Sequence, residues 1–329
     1  MLLVIAVAAL AQAPADYLHV MLSVPGAKMT VYAPGGPDKG FYRGTRFAHS
    51  GVIKDLEVGG FKLFGPWKDT HDPLNADDIT GPAEEFGMFD PLGYADAKPG
   101  ERFVKIGVGE LVKAKDEKYQ FQGKYARGEA GKWAVRHADA PTGGDRLTVT
   151  HTLTSGTGYG YRYTKTITLR PAAGGMELTL DYELTNAGTK PISTDVYNHN
   201  FFNVDGQPVG PRYRLEFPQP VKFTAESKFG DAARFDGGTY TFGRPLADKE
   251  SAFGWLTDAD GRPLPHAFTF RYAADGGKTL TVRVASETPV TKFQTWSVRT
   301  CMCPEPFSAV SVKPGETQKW ATRYSIKAE

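Results

Sequence analysis

Residues 176–186 read MELTLDYELTN, an unbroken alternation of apolar and polar side chains. Because a strand places successive side chains on opposite faces of its sheet, this period predicts a strand with one buried face. Residues 197–206 follow shortly after and read YNHNFFNVDG, which combines an imidazole, carboxamides and a carboxylate with large aromatic rings. That mixture suits neither a plain core strand nor a solvated loop. We interpret it as a functional site delivered by the preceding strand.

Similar alternation recurs along most of the chain, in residues 119–125, 146–153, 161–169, 280–284, 292–298 and 320–326. Turn clusters such as TGGD at 142–145 and PAAGG at 171–175 separate neighbouring segments, which predicts antiparallel hairpins and meanders. No long amphipathic helical pattern competes with them. The sequence therefore predicts an all-β fold, a large antiparallel β-sandwich with functional loops at one concave face.

Length and charge limit the classes of function. A chain of 329 residues with 40% hydrophobic side chains can bury a large core, and all-β sandwiches of this size often form one domain. We therefore expect residues 14–329 to be a single domain. The net charge is only +2 and basic residues are scattered, which argues against nucleic acid or an anionic membrane as partner. The expected partner is a small neutral molecule, and the oligomeric state stays open.

The first residues carry a targeting pattern. Residues 2–10 read LLVIAVAAL and are followed by AQA at 11–13, an apolar run before a small-residue cleavage motif. This predicts a secretory signal peptide over residues 1–13, with a mature chain that begins near Pro14. The run is too short to span a bilayer, and no later stretch is long and apolar enough for a membrane helix. We therefore expect a secreted or periplasmic protein.

Several motifs resemble the aldose 1-epimerase (galactose mutarotase) family, whose central pattern reads roughly TN-x-G, P, NH-x-YFN-x-x-G. The matching residues are LTNAG at 184–188, Pro191, NHNFFN at 198–203 and Gly206, with weaker matches RGTRF at 43–47, EPF at 305–307 and PGE at 314–316. The matches cover most of the mature chain in the family's order. The resemblance implies a galactose mutarotase-like sandwich and an isomerase that interconverts sugar anomers by acid/base ring opening.

His199 and Glu305 are the catalytic residues that this resemblance implies. Glu305 lies between Pro304 and Pro306, which restrict the backbone and thus the direction of the carboxylate. Ring opening needs a base for the anomeric hydroxyl and an acid for the ring oxygen. With reference pKa values of about 4.3 and 6.5, Glu305 is the expected ionised base and His199, kept charged by a neighbour, the expected acid. No metal or organic cofactor is expected.

The resemblance also suggests residues that bind substrate. Arg46 matches an arginine that hydrogen-bonds sugar hydroxyls in the family. The family's His-Gly-Gly motif is absent, because residues 80–87 read TGPAEEFG at that place. His71, or one member of the pair Glu84 and Glu85, is the candidate replacement. The other candidates are Asn198 and Asn203 for hydroxyl groups and Trp296, together with Trp67, Tyr197 and Trp255, for stacking on a sugar ring.

The missing histidine keeps two further function classes open. One is a non-catalytic carbohydrate-binding protein. The other is a polysaccharide-active enzyme on the same sandwich, with Glu84 or Glu85 paired with Glu305. Cys301 and Cys303 are expected to be buried thiols, with a strained disulfide or a soft-metal site as alternatives.

Overall fold

The computed structural model describes residues 17–35, 39–141, 143–224 and 227–329. The predicted signal peptide and Thr142, which belongs to a predicted turn, lie outside these ranges. The strands are β1 (His19–Val24), β2 (Ala27–Tyr32), β3 (Val52–Val58), β4 (Phe61–Leu63), β5 (Ala83–Phe86), β6 (Arg102–Lys105), β7 (Gly109–Val112), β8 (Ala126–Arg127), β9 (Lys132–Asp139), β10 (Asp145–Thr154), β11 (Gly160–Ala172), β12 (Gly175–Asn186), β13 (Ile192–His199), β14 (Tyr213–Glu216), β15 (Val221–Phe223), β16 (Ala233–Asp236), β17 (Thr239–Phe242), β18 (Ser251–Asp258), β19 (Ala267–Ala273), β20 (Thr279–Ala285), β21 (Lys292–Val298), β22 (Cys301–Val312) and β23 (Thr317–Ala328). A short 3-10 helix spans Asp275–Gly277. Within the described ranges, no helix has the length and apolar character needed to cross a membrane.

These strands form two large sheets and two small ones. A ten-stranded sheet has the order β16-β17-β14-β19-β20-β23-β12-β11-β10-β9, and a six-stranded sheet has the order β15-β18-β21-β22-β13-β5. The smaller sheets are β1-β2-β3-β4 and β6-β7-β8. Neighbouring strands pair antiparallel, for example β11 with β12 and β21 with β22. The predicted all-β, antiparallel fold class is confirmed.

The two large sheets share one apolar core. Leu178 and Leu180 of β12 pack in the same cluster as Val196 of β13 and Phe293 of β21. Full burial of each such leucine stabilises the fold by roughly 1.5–3 kcal/mol. The segment 176–186 is thus strand β12, and its apolar positions form the core face, as the alternation predicts.

Alternation along the six-stranded sheet separates the core from the opposite face, which we call the site face. On β13, Asn198 bonds to Tyr182 of the ten-stranded sheet, whereas Tyr197 and His199 point the other way. On β22, Glu305 lies on the site face. Cross-strand pairing aligns Trp255 with Gln294 and Gln294 with Glu305. The site therefore lies across the middle of this sheet.

Candidate functional site

A cavity of about 340 Å³ opens on the site face, and we call it the site cavity. Its lining consists of Arg46, Trp67, Asp77, Met88, Phe89, Phe121, Gln122, His199, Phe201, Phe253, Trp255, Gln294, Trp296 and Glu305. The strands β13, β18, β21 and β22 supply its floor, and loops near residues 67, 77, 89 and 121 supply its walls. Aromatic rings dominate, with a few convergent polar groups, which is the usual composition of a small-molecule site.

His199 and Glu305 meet on the floor of this cavity. Their Nε2 and Oε1 atoms are 3.3 Å apart, and the two side chains are 5% and 0% exposed. Gln294 donates a hydrogen bond from Nε2 to the other carboxylate oxygen, Glu305 Oε2, at 3.1 Å. The pair is far apart in sequence and becomes adjacent because β13 and β22 are neighbouring strands. The structure thus brings together the two residues predicted to perform acid/base chemistry.

Aromatic rings hold the imidazole of His199. Phe201 stacks on it with ring centroids 3.9 Å apart, while Phe47 and Trp296 each contact it edge-on at 5.6 Å. The backbone of Phe201 has φ of 39°, a region that bulky residues rarely adopt and that persists only when the surroundings enforce it. This conformation places the phenyl ring against the imidazole. The ring of His199 is therefore fixed in one orientation.

Burial changes the protonation of the pair. It lowers the pKa of His199 well below its usual value, and the nearby charge of Arg46 acts in the same direction. Burial raises the pKa of Glu305 well above its usual value, with Arg46 opposing and Glu85 reinforcing the shift. Both shifts favour a proton on the carboxyl group and a neutral imidazole, the opposite of the ionised base and charged acid expected from the sequence. One donor and one acceptor are still present, because the pair as a whole carries one proton.

Arg46 lies at the edge of the site cavity in a buried network. Its Nε donates to Glu85 Oε2 at 2.7 Å, its Nη1 to Asp77 Oδ1 at 2.5 Å and its Nη2 to the Tyr197 hydroxyl at 2.9 Å. The guanidinium carbon lies 4.5 Å from the centroid of the Phe121 ring. Since a guanidinium has five N–H groups, two remain for other partners. Arg46 is thus positioned by the protein before any ligand binds.

Glu85 holds this arginine and does not line the cavity. Its Oε1 accepts a hydrogen bond from Lys105 Nζ at 2.9 Å, and its Oε2 accepts one from the Tyr197 hydroxyl at 2.6 Å. Burial alone would raise the pKa of Glu85, but the charges of Arg46 and Lys105 outweigh it and lower the pKa. The carboxylate of Glu85 is thus ionised and bonded to protein partners, a placement that does not support its predicted direct contact with substrate.

Glu84 points to the opposite side of β5. Its Oε1 lies 2.7 Å from Lys165 Nζ and accepts a hydrogen bond from the Tyr182 hydroxyl at 2.8 Å, both on the ten-stranded sheet. Ser50 donates to its other oxygen at 3.3 Å. The predicted substrate contact of Glu84 is likewise not supported by its placement, because its carboxylate lies inside the core. Glu84 is therefore not placed to form a carboxylate pair with Glu305.

His71 also lies outside the cavity lining. Its ring stacks on Phe41 with centroids 4.0 Å apart, its Nε2 lies 2.9 Å from the Phe41 carbonyl oxygen, and its Nδ1 lies 3.1 Å from Asp78 Oδ2. These contacts fix the loop before β5. The prediction that His71 replaces the missing family histidine is not supported by this placement.

The two predicted carboxamides serve the fold. Asn198 Nδ2 donates to the Tyr182 hydroxyl at 2.9 Å on the core side of β13. Asn203 Nδ2 donates to the Pro66 carbonyl at 3.1 Å, and its Oδ1 accepts a hydrogen bond from the backbone of Gly206 at 2.9 Å, which closes a turn. Neither lines the site cavity, so this placement does not support their predicted contacts with sugar hydroxyls.

Of the candidate stacking residues, Trp67, Trp255 and Trp296 line the cavity, and Trp67 meets Trp296 edge-on with centroids 5.4 Å apart. Sequence reasoning missed the polar residues Gln294 and Gln122. Gln294 lies two residues from Trp296 on β21, so strand alternation was a signal that both share a face. Gln122 donates to Asp77 from residues 119–125, whose alternation predicts a strand. That prediction is wrong, because the structure has a turn and loop there between β7 and β8.

Buried polar atoms around the cavity lack hydrogen-bond partners within the described part of the chain. They are His199 Nδ1, Glu305 Oε1 and Trp67 Nε1. The 3.3 Å approach of His199 to Glu305 Oε1 is thus a contact without hydrogen-bond geometry. Buried polar groups are normally paired, and orphaned ones call for a specific explanation. The residues that line the cavity therefore include buried polar atoms that the described part of the chain leaves unpaired.

Cys301 and Cys303 lie beneath the site, next to Phe201. Both are buried free thiols, with Sγ atoms 3.6 Å apart. This agrees with the expectation of buried thiols rather than a disulfide.

Solved structures with a similar fold extend over nearly the whole chain. A putative aldose 1-epimerase from Escherichia coli K12 has 15% sequence identity and a TM-score of 0.53, over 94% of this chain and 98% of its own. A galactose mutarotase-like protein from Clostridium acetobutylicum has 12% identity and a TM-score of 0.54, over 94% and 95%. A protein from Synechocystis sp. PCC 6803 has 13% identity and a TM-score of 0.54, over 98% and 100%.

Identities this low establish the fold alone, and the galactose mutarotase-like sandwich expected from the sequence is confirmed. No family model matches the sequence, and neither does any curated protein.

Proposed function

We propose that this protein is a carbohydrate isomerase of the aldose 1-epimerase type, which exchanges the anomers of a reducing sugar. The observation that carries the proposal is the buried contact between His199 and Glu305 on the floor of an aromatic cavity. Anomer exchange needs one proton donor and one acceptor at adjacent substrate atoms, and this pair provides both within one substrate-sized space. The structural relatives named as aldose epimerases or mutarotase-like proteins support the same class.

The reaction follows from the protonation of the pair. The neutral His199 accepts the hydrogen of the anomeric hydroxyl while the Glu305 carboxylic acid gives its proton to the ring oxygen. The bond between the anomeric carbon and the ring oxygen breaks, which leaves an aldehyde and a free hydroxyl. Rotation about the neighbouring carbon–carbon bond exposes the other carbonyl face. The reverse proton transfers then close the ring as the other anomer and restore both residues.

The remaining residues of the site bind and orient the sugar. Trp67 and Trp296 offer aromatic surface to the apolar face of the ring, and Arg46 offers its two remaining N–H groups to hydroxyl oxygens. Gln294 keeps Glu305 aimed into the cavity through its hydrogen bond. These contacts exclude water and hold the anomeric centre beside the pair. The substrate class that they fit is an uncharged sugar.

The test is anomer exchange of freshly dissolved monosaccharides, followed by polarimetry or NMR with the spontaneous rate subtracted. His199→Ala and Glu305→Gln should each reduce the protein-dependent rate by roughly a hundredfold or more, since general acid/base groups contribute about that much. The double variant should be little worse than either single one, because the two groups act in one coupled transfer. Arg46→Ala should chiefly raise KM.

Full exchange activity in both single variants would rule out the mechanism. Sugar binding by the wild-type protein without any exchange would instead identify a carbohydrate-binding protein. Circular dichroism of each variant controls for loss of the fold.

A further inference from the structure

A second cavity adjoins the site cavity. Its volume is about 300 Å³, and it shares Phe89 and Trp255 with the site cavity. Thr257, Thr291 and Lys292 are among its remaining lining residues. The side chain of Trp255 thus stands between the two spaces and contributes to both. We call these two adjacent cavities the groove.

Strand alternation shows why the groove continues in this direction. On β18, Phe253, Trp255 and Thr257 share the site face. Phe253 lines the site cavity, Trp255 lines both cavities, and Thr257 lines the second cavity. On β21, Gln294 lines the site cavity and Lys292 the second one. Two residues of a strand advance about 6–7 Å, a step comparable to the length of one pyranose ring.

The lining of the second cavity suits a neutral ring better than an anion. Phe89 is 43% exposed, so part of its ring is open to the second cavity. The ammonium of Lys292 is 2.7 Å from Asp195 Oδ2, and it lies over the rings of Phe89 at 4.8 Å and Trp255 at 5.8 Å. Because its charge is already paired, it does not form a dedicated site for a phosphate or carboxylate. Aromatic surface with a few polar groups is the chemistry that binds sugar rings.

We propose that the second cavity binds the second ring of a reducing disaccharide or longer saccharide, whose reducing-end ring occupies the site cavity. This inference rests on the proposed function, since only the reducing-end ring has the free anomeric hydroxyl that His199 and Glu305 act on. Each cavity alone is near the lower end of the range of about 300–1,000 Å³ that is usual for ligand sites. The combined groove is large enough for two rings.

The experiment compares hexoses with disaccharides in variants that fill only the second cavity. Thr257 is half-buried and Thr291 exposed, so tryptophan at either position should fold and occupy this space. The proteins are wild type, Thr257→Trp, Thr291→Trp and the controls Thr257→Ser and Thr291→Ser, which keep the cavity open. The probes are glucose and galactose against maltose, cellobiose and lactose. The readouts are kcat/KM for anomer exchange by NMR and Kd by calorimetry.

In the wild type, at least one disaccharide should show kcat/KM about tenfold above that of its reducing-end hexose, equivalent to about 1.4 kcal/mol. Both tryptophan variants should remove this advantage and leave the hexose rate within about twofold, while the serine variants keep it. Disaccharides that are no better than hexoses, or an advantage that survives both tryptophan variants, would overturn the inference.

The two proposals fail in different ways. If no sugar shows exchange, the proposed function is wrong, and calorimetry still tests the second cavity. In that case, tighter binding of a disaccharide than of its hexose, lost in both tryptophan variants, supports the second-ring site. Equal binding of disaccharide and hexose overturns it.

Discussion

Replacing Glu85 with glutamine tests whether this buried carboxylate positions Arg46. Glu85 is bonded to both Arg46 and Lys105, and all three side chains are almost completely buried. Removing one member of a buried ion pair costs about 3–5 kcal/mol, because the remaining charge is left without compensation. Total stabilities are about 5–15 kcal/mol, so the variant should fold with a much lower denaturation midpoint. Its KM should rise about tenfold as Arg46 loses its fixed orientation, equivalent to about 1.4 kcal/mol.

Glu84→Gln is the matched control on the same strand. Glu84 is paired with Lys165 inside the core, so this variant should lose a similar amount of stability. Its KM should stay within about twofold of the wild type, since the core-facing carboxylate has no contact with Arg46. Urea denaturation measures the first quantity and anomer-exchange kinetics the second. Equal KM values for the two variants would refute the positioning role, and unchanged stability of Glu85→Gln would refute the energetic argument.

The pH dependence provides an independent check on Glu85. Its pKa is lowered in the folded state, so it contributes stability above the unfolded-state value of about 4.3, and that contribution is lost as the pH falls through the folded-state value. The stability difference between wild type and Glu85→Gln should therefore be largest near neutral pH and shrink in acid. Adding Lys105→Met to Glu85→Gln should recover part of the lost stability, because it removes one uncompensated charge.

Three further outcomes are expected. The rate of anomer exchange by the wild type, plotted against pH, should show a plateau wider than the interval of about 4.3–6.5 between the unshifted pKa values of glutamate and histidine. The rate should fall in acid as His199 gains a proton and in alkali as Glu305 loses one. A narrow bell-shaped profile within that interval would contradict the neutral pair. Asn198→Ala should lower the free energy of unfolding by about 1–3 kcal/mol, because the hydrogen bond to Tyr182 is lost, and should leave kcat unchanged. A large loss of kcat in a fully folded variant would show that Asn198 acts in the site. Mass spectrometry of the protein from its native host should find an N-terminus near Pro14, and an intact Met1 would disprove the signal peptide.

The alternation of the sequence predicted the strands, but it was not used to decide which residues of a strand face the site. The motif around His199 and the proline-flanked Glu305 were identified from the resemblance, and the structure places both on the site face. Asn198 was assigned to the same site although it is one residue from His199 on a strand, where neighbours face opposite sides. Glu84 and Glu85 are likewise neighbours on a strand, so their side chains point to opposite faces of the sheet. The alternation of a strand therefore indicates which side chains face the core and which face the site, and a motif match does not use this information.

Loop contributions could not be predicted in this way. Asp77 comes from a segment without periodicity, and Gln122 comes from residues 119–125, where alternation wrongly predicted a strand. The contact between the two side chains depends on how the loops pack over the sheet. His71 had the right chemistry for the site, but its stacking on Phe41 depends on a long-range contact that no local pattern encodes.

The placement of the cavity on the face opposite the core has a consequence for changing substrate preference. Along β18 and β21, the residues that line the site cavity alternate with core residues such as Leu256 and Phe293. Recognition and stability are therefore encoded at different positions of the same strands. A combinatorial library restricted to Phe253 and Thr257 would vary the sugar that fits while the core contacts of Leu256 and Phe293 and the aromatic contacts of His199 stay in place. Most members should therefore fold and be open to selection for new saccharides.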